Sequence, residues 1–364
     1  MNEKKFIEQL TRLISFKTIT GDVSENSDAL DYVTTLINKK AFIKRIKNNN
    51  AEILIAGNTD TNSPDVAYLV HMDVVFAQEK QFKAVVVNDK IYGRGASDMK
   101  FSIPLGIEIL NELISKKTKL TFSLVITTDE EVGGFDGGNY LAKIIKFRPK
   151  CLIVPDGGDN VVFVNKAKGV CQLQITAKGI PAHASRPWMG KNAINDLIKL
   201  ANNLINKYEK NSSKPNWNTT INIGQIHGGV STNQVCAEAI MKLDFRFPEI
   251  DSIENITEKV TEEAKKINRT LKVEVLSTGL PTYVDPESQI VKNFLFSMEK
   301  IYDKSINISE TYGASDARHF APYNIPVLMI KPAGGEIHSE DEWVSIKSSL
   351  KFYEGLRFFL NNML

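Results

Sequence analysis

Cysteine is scarce in this chain: Cys151, Cys171 and Cys236 are three, an odd number, and each sits in an apolar, strand-like run. That pattern suits buried free thiols in a reducing compartment. Long apolar stretches are missing too, since none reaches the ~18 residues that a transmembrane helix needs. Residues 1–8 lack the apolar core and small-residue cleavage site of a signal peptide, so a cytoplasmic location is expected. An excess of one charge is also absent. Lys and Arg number 45 against 43 Asp and Glu, a formal net charge of +2, which gives no electrostatic case for nucleic acid or membrane partners. Neither an internal repeat nor a low-complexity tract is visible.

What is present is a chain of 364 residues with 42% hydrophobic and 24% charged content, long enough for two domains with sizeable cores. Apolar periodicity predicts helices over 3–16, 28–38, 103–113 and 139–145, with strands at 52–55, 66–71, 84–87, 120–128 and 151–154. Such alternation signals an α/β fold, a mostly parallel sheet covered by helices on both faces. From about residue 170 the order changes to strand 171–178, helix 192–208, strands 219–226 and 238–247, helix 253–267 and strand 271–275. This β-α-β-β-α-β order is that of a small ferredoxin-like domain. A helix at 289–302, a strand at 327–330 and a helix at 345–360 return to the first domain. The expected organisation is one domain from 1–169 and 282–364, with a second, 170–281, inserted into it.

The chemistry-bearing residues gather at predicted strand ends. His71 and Asp73 are two apart, which puts both on one side and lets the acid accept a hydrogen bond from one imidazole nitrogen while the other binds metal. Gly93-Arg94-Gly95-Ala96-Ser97-Asp98 begins like a nucleotide-binding loop, but Asp98 occupies the third glycine position and would oppose a pyrophosphate. Alone, Asp98 reads as a helix cap. Asp156, before two glycines, reads as an ordinary turn. His338, in a polar loop, reads as a surface residue. Asp129, Glu130 and Glu131 crowd three acids beyond a buried strand, which is tolerable in water or around cations. Taken together, these residues fall on the edge where open α/β sheets place their sites. Two histidines with several carboxylates suit zinc, with cobalt or manganese as substitutes.

Gly-Arg-Gly-Ala-Ser-Asp-Met-Lys at 93–100 and Thr-Thr-Asp-Glu-Glu-Val-Gly-Gly at 127–134, with His-Met-Asp at 71–73, resemble the zinc-dependent aminoacylase and exopeptidase family. That family includes acetylornithine deacetylase, succinyl-diaminopimelate desuccinylase, glutamate carboxypeptidase and carnosinase-like dipeptidases. The motifs span residues 70–342, and the domain order agrees. The resemblance implies two Zn²⁺ per subunit bridged by Asp98, with His71 and Asp156 completing one site and Glu131 and His338 the other. It implies Glu130 as general base, Asp73 as the residue orienting His71, and a cis peptide at Asp98–Met99.

It also implies a lid and dimerisation role for the inserted domain. Pro181-Ala182-His183-Ala184-Ser185-Arg186-Pro187 matches the lid signature, with His183 an oxyanion donor reaching from the partner subunit of a homodimer. Asn233 and Arg246 match positions that hold the substrate carboxylate, a task suited to the guanidinium fork. Arg318 is a further candidate for that role. His227, His319 and Asp129 receive none. Asp156 stands where the deacylases carry Glu, as it does in tripeptidase and carnosinase-like members. The expectation is a hydrolase of amide bonds in short, carboxylate-bearing peptides. An N-acyl-amino-acid deacylase is the alternative, and an inactive scaffold is the alternative of another class.

Overall fold

The computed structural model of the protein describes residues 1–158 and 160–363. It divides into two compact units, Met1–Lys166 with Tyr283–Leu364, and Ala167–Thr282, which interrupts the first in sequence.

In the first unit, α1 (Glu3–Ser15) and α2 (Val23–Leu36) start at Asn2 and Asp22, whose side chains accept from the amides of Lys5 and Glu25. There follow β1 (Phe42–Asn48), β2 (Ala51–Gly57), β3 (Val66–His71), β4 (Val85–Val87), β5 (Lys90–Tyr92), α3 (Ser102–Lys116), β6 (Phe122–Thr127), α4 (Gly138–Lys143), β7 (Cys151–Ile153) and β8 (Phe163–Ala167). The inserted elements are β9 (Gly169–Lys178), α5 (Ala193–Ser212), β10 (Thr220–Gly228), β11 (Glu238–Phe247), α6 (Ile253–Ile267) and β12 (Lys272–Gly279). The chain then runs through β13 (Thr282–Tyr283), α7 (Gln289–Tyr302), β14 (Ile308–Thr311), β15 (Val327–Leu328), β16 (Gly334–Gly335), β17 (Trp343–Ser345) and α8 (Ile346–Asn361).

The main sheet has the order β1-β2-β6-β3-β7-β15. Its core pairs, β6 with β3, β3 with β7 and β7 with β15, are parallel, while β2 joins β6, and β1 joins β2, antiparallel. Alternate residues of each strand enter different cores. Val66, Tyr68, Val70, Leu124 and Ile126 pack with residues of α1, α3, α7 and α8, whereas Ala67, Leu69, Val125 and Leu152 pack with Leu141, Phe147 and Phe320. Burial on both faces is why these strands read as unbroken apolar runs. Gly106 lets α3 approach the sheet closely, since a Cβ there would stand 2.8 Å from both Tyr68 Cδ1 and Leu124 Cδ1.

β1 was not expected from the sequence. Its residues are largely exposed, with Lys44, Arg45 and Lys47 interrupting the apolar pattern, and it is held by pairing with β2 along its full length. The helix expected over 28–38 starts earlier, at Val23, and the strand expected over 327–330 shrinks to Val327–Leu328.

In the inserted unit the sheet order is β10-β11-β9-β12 with antiparallel pairs throughout, the ferredoxin-like arrangement. Here burial alternates with period two. Cys171, Leu173, Ile175 and Ala177 of β9 and Met241, Leu243 and Phe245 of β11 pack beneath Leu197, Leu200 and Leu204 of α5 and Ile256 and Val260 of α6. Each such fully buried aliphatic side chain contributes roughly 1.5–3 kcal/mol relative to exposure.

Candidate metal centre

β3 and β6 pair in parallel with His71 opposite Thr127, so their C-terminal ends lie level. His71 ends β3. Glu130 opens a single helical turn, Glu130–Val132, just past β6, and Asp156 lies three residues beyond the end of β7. Asp98 sits in the turn between Gly95 and α3, and the Asp98–Met99 peptide is cis. His338 lies in the loop between β16 and β17 at φ +64°, a backbone conformation rarely adopted by a residue with a Cβ.

Asp98 divides its two oxygens between two histidines. Oδ1 faces His71 Nε2 at 3.2 Å, and Oδ2 faces His338 Nε2 at 3.3 Å, which is also 3.3 Å from Glu131 Oε2. His71, Glu130 and Asp156 form one group with donor atoms all within 4.8 Å of one another, and Asp98, Glu131 and His338 form a second. His71 Nδ1 donates to the backbone carbonyl of Asp73 at 2.9 Å, which leaves Nε2 facing the Asp98 carboxylate, where the protonated ring donates to it and the neutral ring and the carboxylate would share a cation. Glu131 Oε1 is buried without a hydrogen-bond partner. Imidazole nitrogens and carboxylate oxygens at these separations fit a divalent cation.

The electrostatics describe the same crowding. Burial pushes the Asp156 carboxyl up to about 7, helped by repulsion from Asp98. Burial also raises Glu130, with Asp156 adding to it. Asp98 moves the other way, because hydrogen bonds from His338 and His71 outweigh the cost of burying it and hold it well below the carboxylate range. Hydrogen bonds to Asp98 and Glu131 push His338 up to about 10.

The Asp73 backbone carbonyl is the nearer partner of His71 Nδ1, and the Asp73 carboxylate, 3.5 Å from that nitrogen, is engaged by the acidic turn as well. It accepts from the Glu130 amide at 3.1 Å, the Glu131 amide at 3.2 Å and the Thr20 hydroxyl at 2.8 Å. Thr20 carried no signal in the sequence. Asp129 closes the turn from the other side by accepting the amides of Asp136 and Gly137. His319 Nε2 donates to the Gly133 carbonyl at 3.0 Å. The turn approaches Asp316 so closely that a Cβ on Gly134, φ +62°, would fall 1.9 Å from Asp316 Oδ1.

Arg318 lies beside this group. Its charge lowers the raised pKa of Glu130, and its buried Nη2 has no hydrogen-bond partner. His183, Asn233 and Arg246 belong to the inserted unit. His183 and Asn233 are neighbours there, joined by a bond from the Ala184 amide to the Asn233 carbonyl at 2.9 Å. His183 lines a cavity of about 530 Å³ with Pro181, Ser185, Arg186 and Met189. Its Nδ1 accepts from the Ser185 amide at 3.1 Å, so the neutral ring carries its proton on Nε2. Arg246 grips Asp244, two residues back on the same face of β11, through Nε at 2.7 Å. His227 is exposed on β10.

Comparison with known proteins identifies the family of the chain. Residues 67–362 match the model of peptidase family M20/M25/M40. The chain is 26% identical to a succinyl-diaminopimelate desuccinylase of Marinobacter nauticus, over 81% of this chain and 84% of that protein. It is 24% identical to an acetylornithine deacetylase of Buchnera aphidicola, over 94% and 87%. Its fold is similar to that of a tripeptidase from Staphylococcus aureus, with TM-score 0.80 and 22% identity over 100% of this chain and 98% of that one. An M20 family metallo-carboxypeptidase from Sulfolobus solfataricus gives TM-score 0.82 and 18% identity over 99% of both. The family uses divalent metal. The chain belongs to peptidase family M20/M25/M40 and is a hydrolase of amide bonds.

Proposed function

We propose that the protein is a dinuclear zinc hydrolase of short, carboxylate-bearing peptides, working as an exopeptidase or dipeptidase. The observation that carries this reading is the division of Asp98 between His71 and His338, each grouped with further acids. Two Zn²⁺ would be held by Asp98 together with His71 and Asp156 at one site and with Glu131 and His338 at the other. Co²⁺ and Mn²⁺ are substitutes with the same ligand preferences. Bound there, the cations supply Lewis acidity, acidifying water and polarising the amide carbonyl.

The chain's own residues do the rest. Glu130, whose burial strengthens its hold on a proton, takes one from the attacking water as the new C–O bond forms. It returns that proton to the amine nitrogen as the C–N bond breaks. His183 donates Nε2–H to the developing oxyanion. It is supplied by the partner subunit of a homodimer formed through the inserted domain. Asn233, Arg246 and Arg318 hold the substrate carboxylate, with Asp244 occupying the Arg246 fork until substrate displaces it. The three buried free thiols support a cytoplasmic setting.

Asp156, where deacylases carry the longer Glu, supports the peptide reading. The names of the two sequence relatives favour a second, an N-acyl-amino-acid deacylase on the same machinery. An inactive scaffold is opposed by the presence of all five ligands and the base. Assays of dipeptides and tripeptides beside N-acetyl and N-succinyl amino acids, with Zn²⁺ or Mn²⁺ supplied, separate these readings. Turnover of acylated substrates alone would remove the peptidase reading. Glu130→Ala should retain metal while kcat falls about 10²–10⁴-fold. Surviving turnover would remove Glu130 as base, and loss of metal would make it a ligand.

A further inference from the structure

The turn that carries Asp98 and the loop that carries His338 meet at one carboxylate, that of Glu342. The pairing of β17 with β5 brings it there, and the Gly93 amide donates to the Glu342 backbone carbonyl at 3.0 Å. The Glu342 side chain is fully buried. Each of its oxygens is met by two donors. Oε2 accepts from Arg94 Nη1 at 2.7 Å and the Gly95 amide at 3.0 Å, and Oε1 accepts from the Ser97 amide at 2.8 Å and the Asp98 amide at 3.0 Å. Arg94 is itself 3% exposed, and its Nη2 donates to the Ser339 carbonyl at 3.1 Å, one residue past His338.

We propose that Glu342, with Arg94, is a positioning residue of the metal centre. Its carboxylate gathers the amides of the 95–98 turn so that Asp98 presents one oxygen to each histidine, and Arg94 ties the same carboxylate to the His338 loop. Glu342 touches neither metal nor substrate. The inference rests on the metal reading above. It explains why a fully ionic acceptor is needed at a site with no solvent. Four donors converge on two oxygens, so an amide of the same shape would turn its NH₂ against two of them whichever way it is placed.

The chemistry therefore makes Glu342→Gln, a nearly isosteric change, a severe one for metal binding. Co²⁺ titration followed by visible absorption reads this without any turnover. Glu342→Gln should weaken Co²⁺ affinity by about 10–100-fold, as loss of partners behind metal ligands does, and should alter the spectrum of the loaded protein. Leu356→Ala, which opens the core under α8, is the control for lowered thermal stability alone and should bind Co²⁺ as the parent does. Weakening by Glu342→Gln no greater than that of the control would overturn the proposal. Should Glu342→Gln fail to fold, Arg94→Lys, which keeps the charge and loses the fork, is judged against the same control. A parent that takes up no Co²⁺ would overturn the metal reading itself and this inference with it.

Discussion

His71 hands its Nδ1 proton to the backbone carbonyl of Asp73 at 2.9 Å, while the Asp73 carboxylate, 3.5 Å away, gathers the amides of Glu130 and Glu131. The main chain accepts the closer bond from the imidazole, and the side chain, farther from that nitrogen, holds the acidic turn. Asp73→Asn should therefore leave the His71 tautomer intact but set an NH₂ against an amide or the Thr20 hydroxyl. Activity is expected to fall about 10–100-fold, in line with other residues standing behind metal ligands. Steady-state kinetics check the loss. A nitrogen-15 NMR spectrum of the histidines checks that the tautomer survives.

Metal removal should invert the response of stability to pH. In the cation-free protein Asp156 and Asp129 titrate near 7, above an unfolded value near 3.8, and Glu130 is also raised. A carboxylate with a raised folded pKa binds more protons folded than unfolded, so stability falls as pH rises between those values. His71 and His338, both raised, contribute stability that is full below about 6.5 and is lost as pH climbs further, for His338 towards about 10. Lys100, lowered to about 7 by burial, acts in the opposite sense above pH 7. The clear window is pH 4–7. Chelated protein should show a Tm that declines from pH 5 to pH 7. Saturating Zn²⁺ should raise Tm with pH there, because binding requires deprotonated ligands.

The sequence made the site more legible than its supports. His71, Asp98, Glu130, Glu131 and Asp156 announced themselves because each lies at the end of a buried strand or in a glycine-bounded turn, where an ionisable group is out of place. Thr20, Glu342 and Lys100 gave no such sign. A threonine in a loop, a glutamate in an acidic run and a lysine after Met99 are ordinary until the fold buries them. Lys100 is fully buried, with Nζ donating to the carbonyls of Leu13 and Phe16 at the end of α1, a contact across 84 and more residues. Local pattern cannot report partners so distant. The strands β5 and β17 were equally hidden, because three residues carry no measurable periodicity, yet they bring Glu342 to Asp98.

Gly106 tests the packing beneath the site rather than the site itself. A Cβ there would press on Tyr68 and Leu124, whose strands end at His71 and beside Glu130. Gly106→Ala gains helix propensity but overpacks a closed core, and a net loss of about 1–3 kcal/mol is expected. Chemical denaturation measures it. An unchanged midpoint would mean that α3 can move away from the sheet, and kcat would then report whether Asp98, at the head of α3, moves with it.

The inserted unit offers a sharper test through two neighbouring residues. Ser185 meets His183 Nδ1 twice, by its backbone amide at 3.1 Å and its hydroxyl at 2.8 Å. The amide alone suffices to keep the His183 proton on Nε2, where an oxyanion donor needs it. Ser185→Ala keeps that amide, so kcat should fall less than about tenfold, the scale of one neutral hydrogen bond. If His183 is the oxyanion donor, His183→Ala should lower kcat about 10²–10³-fold, the range for losing an oxyanion-hole hydrogen bond. KM is expected to change little in either variant if His183 acts only as charge develops. Mixing His183→Ala with Glu130→Ala protein then decides where His183 acts. A homodimer that uses its partner's histidine regains turnover in the mixture, whereas one that uses its own does not.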